Sequence, residues 1–146
     1  MKPHIEEAWR SLRLADRDIT AFDILKQEPA AHVSIVNFHA QQAVEKALKA
    51  VLYARQIEFE RVHDLVKLAS LLSGQGLALP VSTDQLRLLN PFAVTFRYDD
   101  MEIEGVMQEE LDSQVAEVRR WAEAQLRSAT EAESGHGEEQ DRPADH

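Results

Sequence analysis

The chain has 146 residues, 44% of them apolar, a net charge of −10 and no cysteine. That length supports one domain with a hydrophobic core rather than two, and the missing cysteines exclude disulfide frameworks, thiolate zinc sites and cysteine nucleophiles. Residues 131–146 hold six acids (Glu131, Glu133, Glu138, Glu139, Asp141, Asp145) against Arg142, so half of the net charge sits there and −5 remains on the body. An acidic body lacks the broad basic surface that neutralises phosphates along a duplex, which disfavours extended nucleic-acid binding by this chain alone. The start MKPHIEEAWRSL does not read as a leader. No apolar window reaches the ~18 residues of a membrane span. The expectation is a soluble cytoplasmic protein.

From Ile5 to Gln27, Ala8, Leu12, Ala15, Ile19, Phe22 and Leu25 recur at spacings of three and four, which predicts an amphipathic helix ended by Pro29. A second helix is predicted over Ala31 to Arg55, with Val33, Val36, Ala40, Ala43, Val44, Ala47, Val51 and Ala54 in one arc. Its small residues allow close approach of a neighbouring helix. Gln56 to Arg61 breaks the period. His63-Asp64 then opens a third helix carrying Leu65, Leu68, Ala69 and Leu72, with Gly74 or Gly76 as its C-terminal cap. Ser82 or Thr83 is placed to cap a fourth, with Asp84 in its first turn and Leu86, Leu88 and Leu89 along it before Pro91.

Phe92 to Tyr98 is predicted as a short helix or ordered turn, and Arg97 to Gly105 as a loop. A last helix is predicted from Gln108 to about Ala129 through Leu111, Val115, Val118, Trp121, Ala122 and Leu126. Residues 131–146 lack the hydrophobics needed to offset the entropy of ordering, so an acidic disordered tail is expected to follow a helical domain of residues 1–130. No alternating β-branched pattern occurs. The predicted class is all-α, an up-and-down bundle of four main helices with short extra pieces.

Three polar groupings are candidate sites. At 100° per residue, His39, Gln42, Lys46 and Lys49 fall in one narrow arc of the second helix, away from its apolar arc, with Glu45 beside them. Donors and cations in one file suit a phosphate or a base edge. The plain alternative is a solvated helix face with a Glu45–Lys49 pair. His63 and Asp64 form the second grouping: Asp64 is placed to cap the third helix, and His63 is a residue that titrates near neutrality. Arg97-Tyr98-Asp99-Asp100 is the third, a planar cation and a phenol beside two acids that can pair with the arginine locally. No HExxH, Walker loop, GxSxG or dinucleotide fingerprint occurs, so no metal ligand set, cofactor or catalytic residue is assigned.

The run FHAQQAVEKALKAVLYARQIEFERVHDLVKLASLL, with an N-terminal helix holding Trp9 and Ala15-Asp16-Arg17-Asp18 and a later Phe96-Arg97-Tyr98, resembles the HEPN (higher eukaryotes and prokaryotes nucleotide-binding) domain. The resemblance extends from Ile5 to Ala129, and its most specific part is His39, Gln42, Lys46, Ala47, Leu48, Lys49 and Ala50, then His63, Asp64, Leu65 and Leu68. It implies a bundle of four or five helices that pairs into a homodimer. It also implies a minimal nucleotidyltransferase as partner in a toxin–antitoxin-like pair, and a nucleotide or RNA as ligand. Many HEPN domains are metal-independent endoribonucleases that use an arginine followed four to six residues later by a histidine. This chain departs from that pattern: Arg97 has no histidine after it until His136, seven residues separate Arg55 from His63, and one separates Arg61 from His63. The leading expectation is therefore binding through His39, Gln42, Lys46, Lys49, His63, Asp64, Arg97 and Tyr98. A divergent ribonuclease using Arg97 with His63, and a helical interaction module with no nucleotide site, are the alternatives.

Overall fold

The computed structural model describes residues 1–90 and 108–141, in which five helices and no strand occur: α1 (Pro3–Leu25), α2 (Val33–Ala54), α3 (Leu65–Gly74), α4 (Thr83–Leu89) and α5 (Gln108–Asp141). The protein is an all-α bundle, as its periodicity predicts. The expected short piece at Phe92 to Tyr98 and the loop up to Gly105 lie outside the described residues.

Helix α2 is the hub, packing against α1, α5, α3 and α4. It runs antiparallel to α1, since Ser11 of α1 meets the Lys46 carbonyl while Asp18, further along α1, meets His39. Helix α5 is also antiparallel to α1: Trp9 reaches Thr130, Asp16 reaches Arg119 and Lys26 reaches Asp112. The α1–α2 crossing is close because it is built from small side chains. Ala8, Ala15, Ala40, Ala43 and Ala47 are all at most 2% exposed, and the Ser11 hydroxyl donates directly to the Lys46 backbone carbonyl at 2.8 Å. Larger side chains fill the rest of the core, among them Phe22, Leu48, Leu52, Leu65, Leu72, Leu89 and Leu126.

The helix ends have local causes. Pro3 opens α1, where an amide donor is not needed. His32, not anticipated as a cap, caps α2 by accepting from the Ser34 amide at 3.1 Å. Asp64 caps α3, and Ser82 with Gln85 forms a reciprocal capping box on α4. Helices α2 and α3 both close by the paired bonds of a Schellman turn: Ile57 to Leu52 and Gln56 to Tyr53 in the first, Leu77 to Leu72 and Gly76 to Ser73 in the second. The left-handed position is Gly76 (φ 86°) after α3, but Gln56 (φ 56°) after α2.

Three expectations need correcting. Val33 and Leu88 are 47% and 48% exposed rather than buried, because Val33 is the first residue of α2 and α4 is too short to cover two faces. Helix α5 does not stop near Ala129 but runs to Asp141, fastened to the start of α1 by Trp9 donating to Thr130 and by Lys2 and His4 pairing with Glu133. A helix already nucleated extends through Glu131, Ala132 and Glu133 at little cost, even where it has no apolar face to bury.

Candidate functional site

Between Ala40 and Ala50, helix α2 is buried on every side except at Gln42, Lys46 and Lys49, and His39 continues that line by one turn. The strip identified from the sequence is thus the window through which the central helix meets solvent. It is not the freely solvated face of a surface helix, since each of its side chains is only partly exposed and each is held by a neighbour.

Two buried carboxylates do the holding. Asp18 of α1, 9% exposed, accepts from His39 Nδ1 at 3.0 Å through one oxygen and from Lys46 Nζ through the other. Glu45 of α2, 2% exposed, accepts from His63 Nδ1 at 3.0 Å and from Gln41 Nε2 at 3.3 Å on one oxygen, and from Lys49 Nζ at 3.2 Å on the other. Gln41 is fully buried; its amide nitrogen also reaches the His63 carbonyl at 3.4 Å, and its carbonyl accepts from Gln42 at 2.6 Å. One hydrogen-bonded chain therefore joins Gln42, Gln41, Glu45, Lys49 and His63, and a second joins Lys46, Asp18 and His39.

The geometry fixes the histidine tautomers. A carboxylate only accepts, so the Nδ1 of each neutral ring carries the proton and Nε2 presents its lone pair. His63 is 64% exposed at its side chain, which leaves that edge in solvent on a ring anchored to a buried acid. His39, at 26%, is further restrained by an edge-on contact with Phe38 at 5.4 Å. Lys49 is also placed over the Phe59 ring, 5.9 Å from its centroid, and Phe59 packs edge-on against Tyr53.

Charge is the less expected property. The ammonium groups of Lys46 and Lys49 are matched by the carboxylates of Asp18 and Glu45, so with both histidines neutral the cluster sums to zero. It is a surface dense in oriented donors rather than a positive patch. Among the described residues no group of three His, Asp or Glu side chains converges as metal ligands would, and no helix is long and apolar enough to cross a membrane.

The remaining sequence candidates divide. Asp64 is engaged in architecture: one of its oxygens accepts from the amides of Val66 at 3.0 Å and Lys67 at 3.4 Å and from the Asn90 side chain at 3.0 Å, while Asn90 accepts from the Leu65 amide at 2.8 Å. This ties the end of α4 to the start of α3, directly beside His63. Arg97 and Tyr98 lie outside the described residues.

Glu45 makes the pair with Lys49 that the sequence placed beside the strip; Asp18 and Gln41 are the functional neighbours that the strip alone did not reveal, and a signal for Asp18 was present. In α1 the positions Ala8, Ser11, Ala15, Asp18 and Phe22 follow the buried register, so Asp18 is a charge at a core position and requires partners. Likewise Asn37, Gln41 and Glu45 recur every four residues on α2 and are all 3% exposed or less, a polar stripe turned inward.

No curated protein and no solved structure matches the chain. The family model of the HEPN domain matches residues 4–129, which span α1 to α4 and most of α5, including every residue of the two carboxylate clusters. The chain belongs to the HEPN domain family.

Proposed function

We propose that this HEPN domain is the ligand-binding component of a two-protein pair with a minimal nucleotidyltransferase, working as a homodimer in the cytoplasm, and that it binds a nucleotide or the partner through His39, Gln42, Lys46, Lys49 and His63. The observation that carries the reading is the window on α2. A helix buried elsewhere along this stretch opens to solvent only along a file of polar side chains, the imidazole of His39 and the donors Gln42, Lys46 and Lys49, each pre-oriented by a buried acid or amide. Pre-orientation lowers the ordering cost of binding, since these side chains lose little further freedom when a ligand arrives. The partner and the pairing come from the family resemblance, and Arg97 and Tyr98 join the proposed surface on the same ground.

Electroneutrality gives this site a signature. An anion is held here by hydrogen bonds from Gln42, Lys46 and Lys49 rather than by excess positive charge. Titration calorimetry with tripolyphosphate and GTP tests the reading: binding that weakens at least tenfold in Lys46→Ala and Lys49→Ala supports it. Absence of heat with both ligands, together with no capture of a co-expressed nucleotidyltransferase, refutes it.

A second reading, metal-independent RNA cleavage, draws on His63. Its exposed Nε2 on a ring oriented by buried Glu45 is the arrangement of a general base. Asn90 bonds to Asp64, the residue after His63, and the seven residues to Arg97 span at most about 25 Å, so chain length permits the two to converge. Incubating the protein with structured RNA in chelator decides it. Cleavage abolished by His63→Ala supports this reading, and intact RNA at high protein concentration removes it.

A further inference from the structure

A groove of about 560 Å³ runs along the α2–α3 connection and the outer face of α3, within the ~300–1,000 Å³ range of small-molecule sites. Phe59, Val62, Val66 and Leu71 form its apolar lining, Glu58 and Glu60 stand on its connection side, and Lys67 lines it from α3. Leu71 is 39% exposed there. The groove is continuous with the cation strip: Lys49 Nζ lies 5.9 Å from the centroid of Phe59, which lines the groove, and 3.2 Å from Glu45, which holds His63. His63 itself directly follows Val62.

The geometry points to this groove as the base subsite of a purine nucleotide whose phosphates lie on Lys49, an inference that rests on the nucleotide reading of the strip. An aromatic and aliphatic lining accepts the faces of a planar base. The adjoining Lys49 ammonium donates to its phosphates, and groove and ammonium meet within the length of one nucleotide. The polar groups at the connection side choose among bases. Glu58 and Glu60 offer carboxylate oxygens as hydrogen-bond acceptors, which suits guanine, whose N1–H and 2-amino group form a paired donor edge. Adenine offers the 6-amino group beside an acceptor nitrogen that a carboxylate repels. The expected occupant is a guanine nucleotide.

The test compares GTP, ATP and tripolyphosphate by titration calorimetry on the full chain, with Ser70→Trp, which places a large ring in the groove from the exposed face of α3, and Leu71→Glu at an already exposed position. Circular dichroism verifies that both fold. The inference predicts that GTP binds at least tenfold tighter than tripolyphosphate and severalfold tighter than ATP. Both variants should erase that advantage while leaving tripolyphosphate affinity within twofold, and Glu58→Gln with Glu60→Gln should erase the preference for GTP over ATP. Equal binding of GTP and tripolyphosphate, or GTP affinity untouched in both groove variants, overturns the base subsite and leaves the strip reading standing. Failure of all three ligands to bind removes the strip reading and the subsite with it.

Discussion

Replacing Glu45 by alanine tests the central physical claim, that a buried carboxylate organises the solvent-facing edge of α2. Its side chain is 3% exposed and accepts three donors, from His63 at 3.0 Å, Lys49 at 3.2 Å and Gln41 at 3.3 Å. Breaking a buried ion pair by deleting one partner costs about 3–5 kcal/mol where the other charge is left stranded. Stranding is partial here. Lys49 is 18% exposed and His63 64%, so both regain water, while Gln41 keeps the His63 carbonyl as an acceptor. The lower end, about 3 kcal/mol, is therefore expected, and for a chain of this size it lowers Tm by roughly 10 °C.

Urea unfolding followed by circular dichroism measures the loss. Arg87→Ala serves as the control, because its pair with Asp84 is 65% and 89% exposed and should contribute less than about 1 kcal/mol. The double replacement Glu45→Leu with Lys49→Met removes both charges and should recover most of the loss, since an apolar pair of similar volume needs no desolvation. A Glu45→Ala loss no larger than that of Arg87→Ala would refute the reasoning, and so would a double variant as unstable as the single one. Nitrogen-15 spectra of the His63 ring give an independent check: the Nδ1-protonated tautomer should dominate the neutral form and be lost with Glu45.

Asp64→Ala removes the α3 cap and the Asn90 contact at once, with an expected loss of about 2 kcal/mol by the same unfolding measurement. Gln56→Gly relieves the left-handed residue after α2 and should raise stability by about 0.5–1 kcal/mol, the reverse of Gly76→Ala after α3. The Arg127 and Arg119 guanidiniums hold the Glu123 carboxyl below its usual range. Its contribution is therefore complete above the ordinary glutamate value of about 4.3 and lost as pH falls through the depressed one, and Glu123→Gln should flatten the stability profile in that acid window. Lys26 shows the opposite sign. Partial burial pushes its ammonium down, but Asp23 and Asp112 outweigh this and hold it above the usual lysine value. Its contribution is kept below about pH 10.4 and lost as pH rises through the raised value, so Lys26→Met should lessen the alkaline decline in stability.

Local chemistry made most of the bundle legible. The three- and four-residue spacing of Ala8, Leu12, Ala15, Ile19 and Phe22 defines α1, Asp64 and Ser82 mark the starts of α3 and α4, and Gly76 marks the end of α3, because each acts on backbone within a few residues of itself. The exposed line His39, Gln42, Lys46 and Lys49 was readable for the same reason: helical geometry alone puts those positions on one side. What that line faces was not readable. Asp18 lies 21 and 28 residues from His39 and Lys46 along the chain, and His63 lies 18 from Glu45. No local rule pairs groups at such separations; the α1–α2 crossing and the turn after α2 do. The sequence by itself determined which residues are helical and which edge of α2 stays polar, since propensity, capping and period act locally. Only the tertiary structure decided that the lysines of this edge are matched by acids and braced from within, because burial of Asp18 and Glu45 depends on helices meeting across the core, and a buried carboxylate must take its cation and its histidine from whatever that packing brings near.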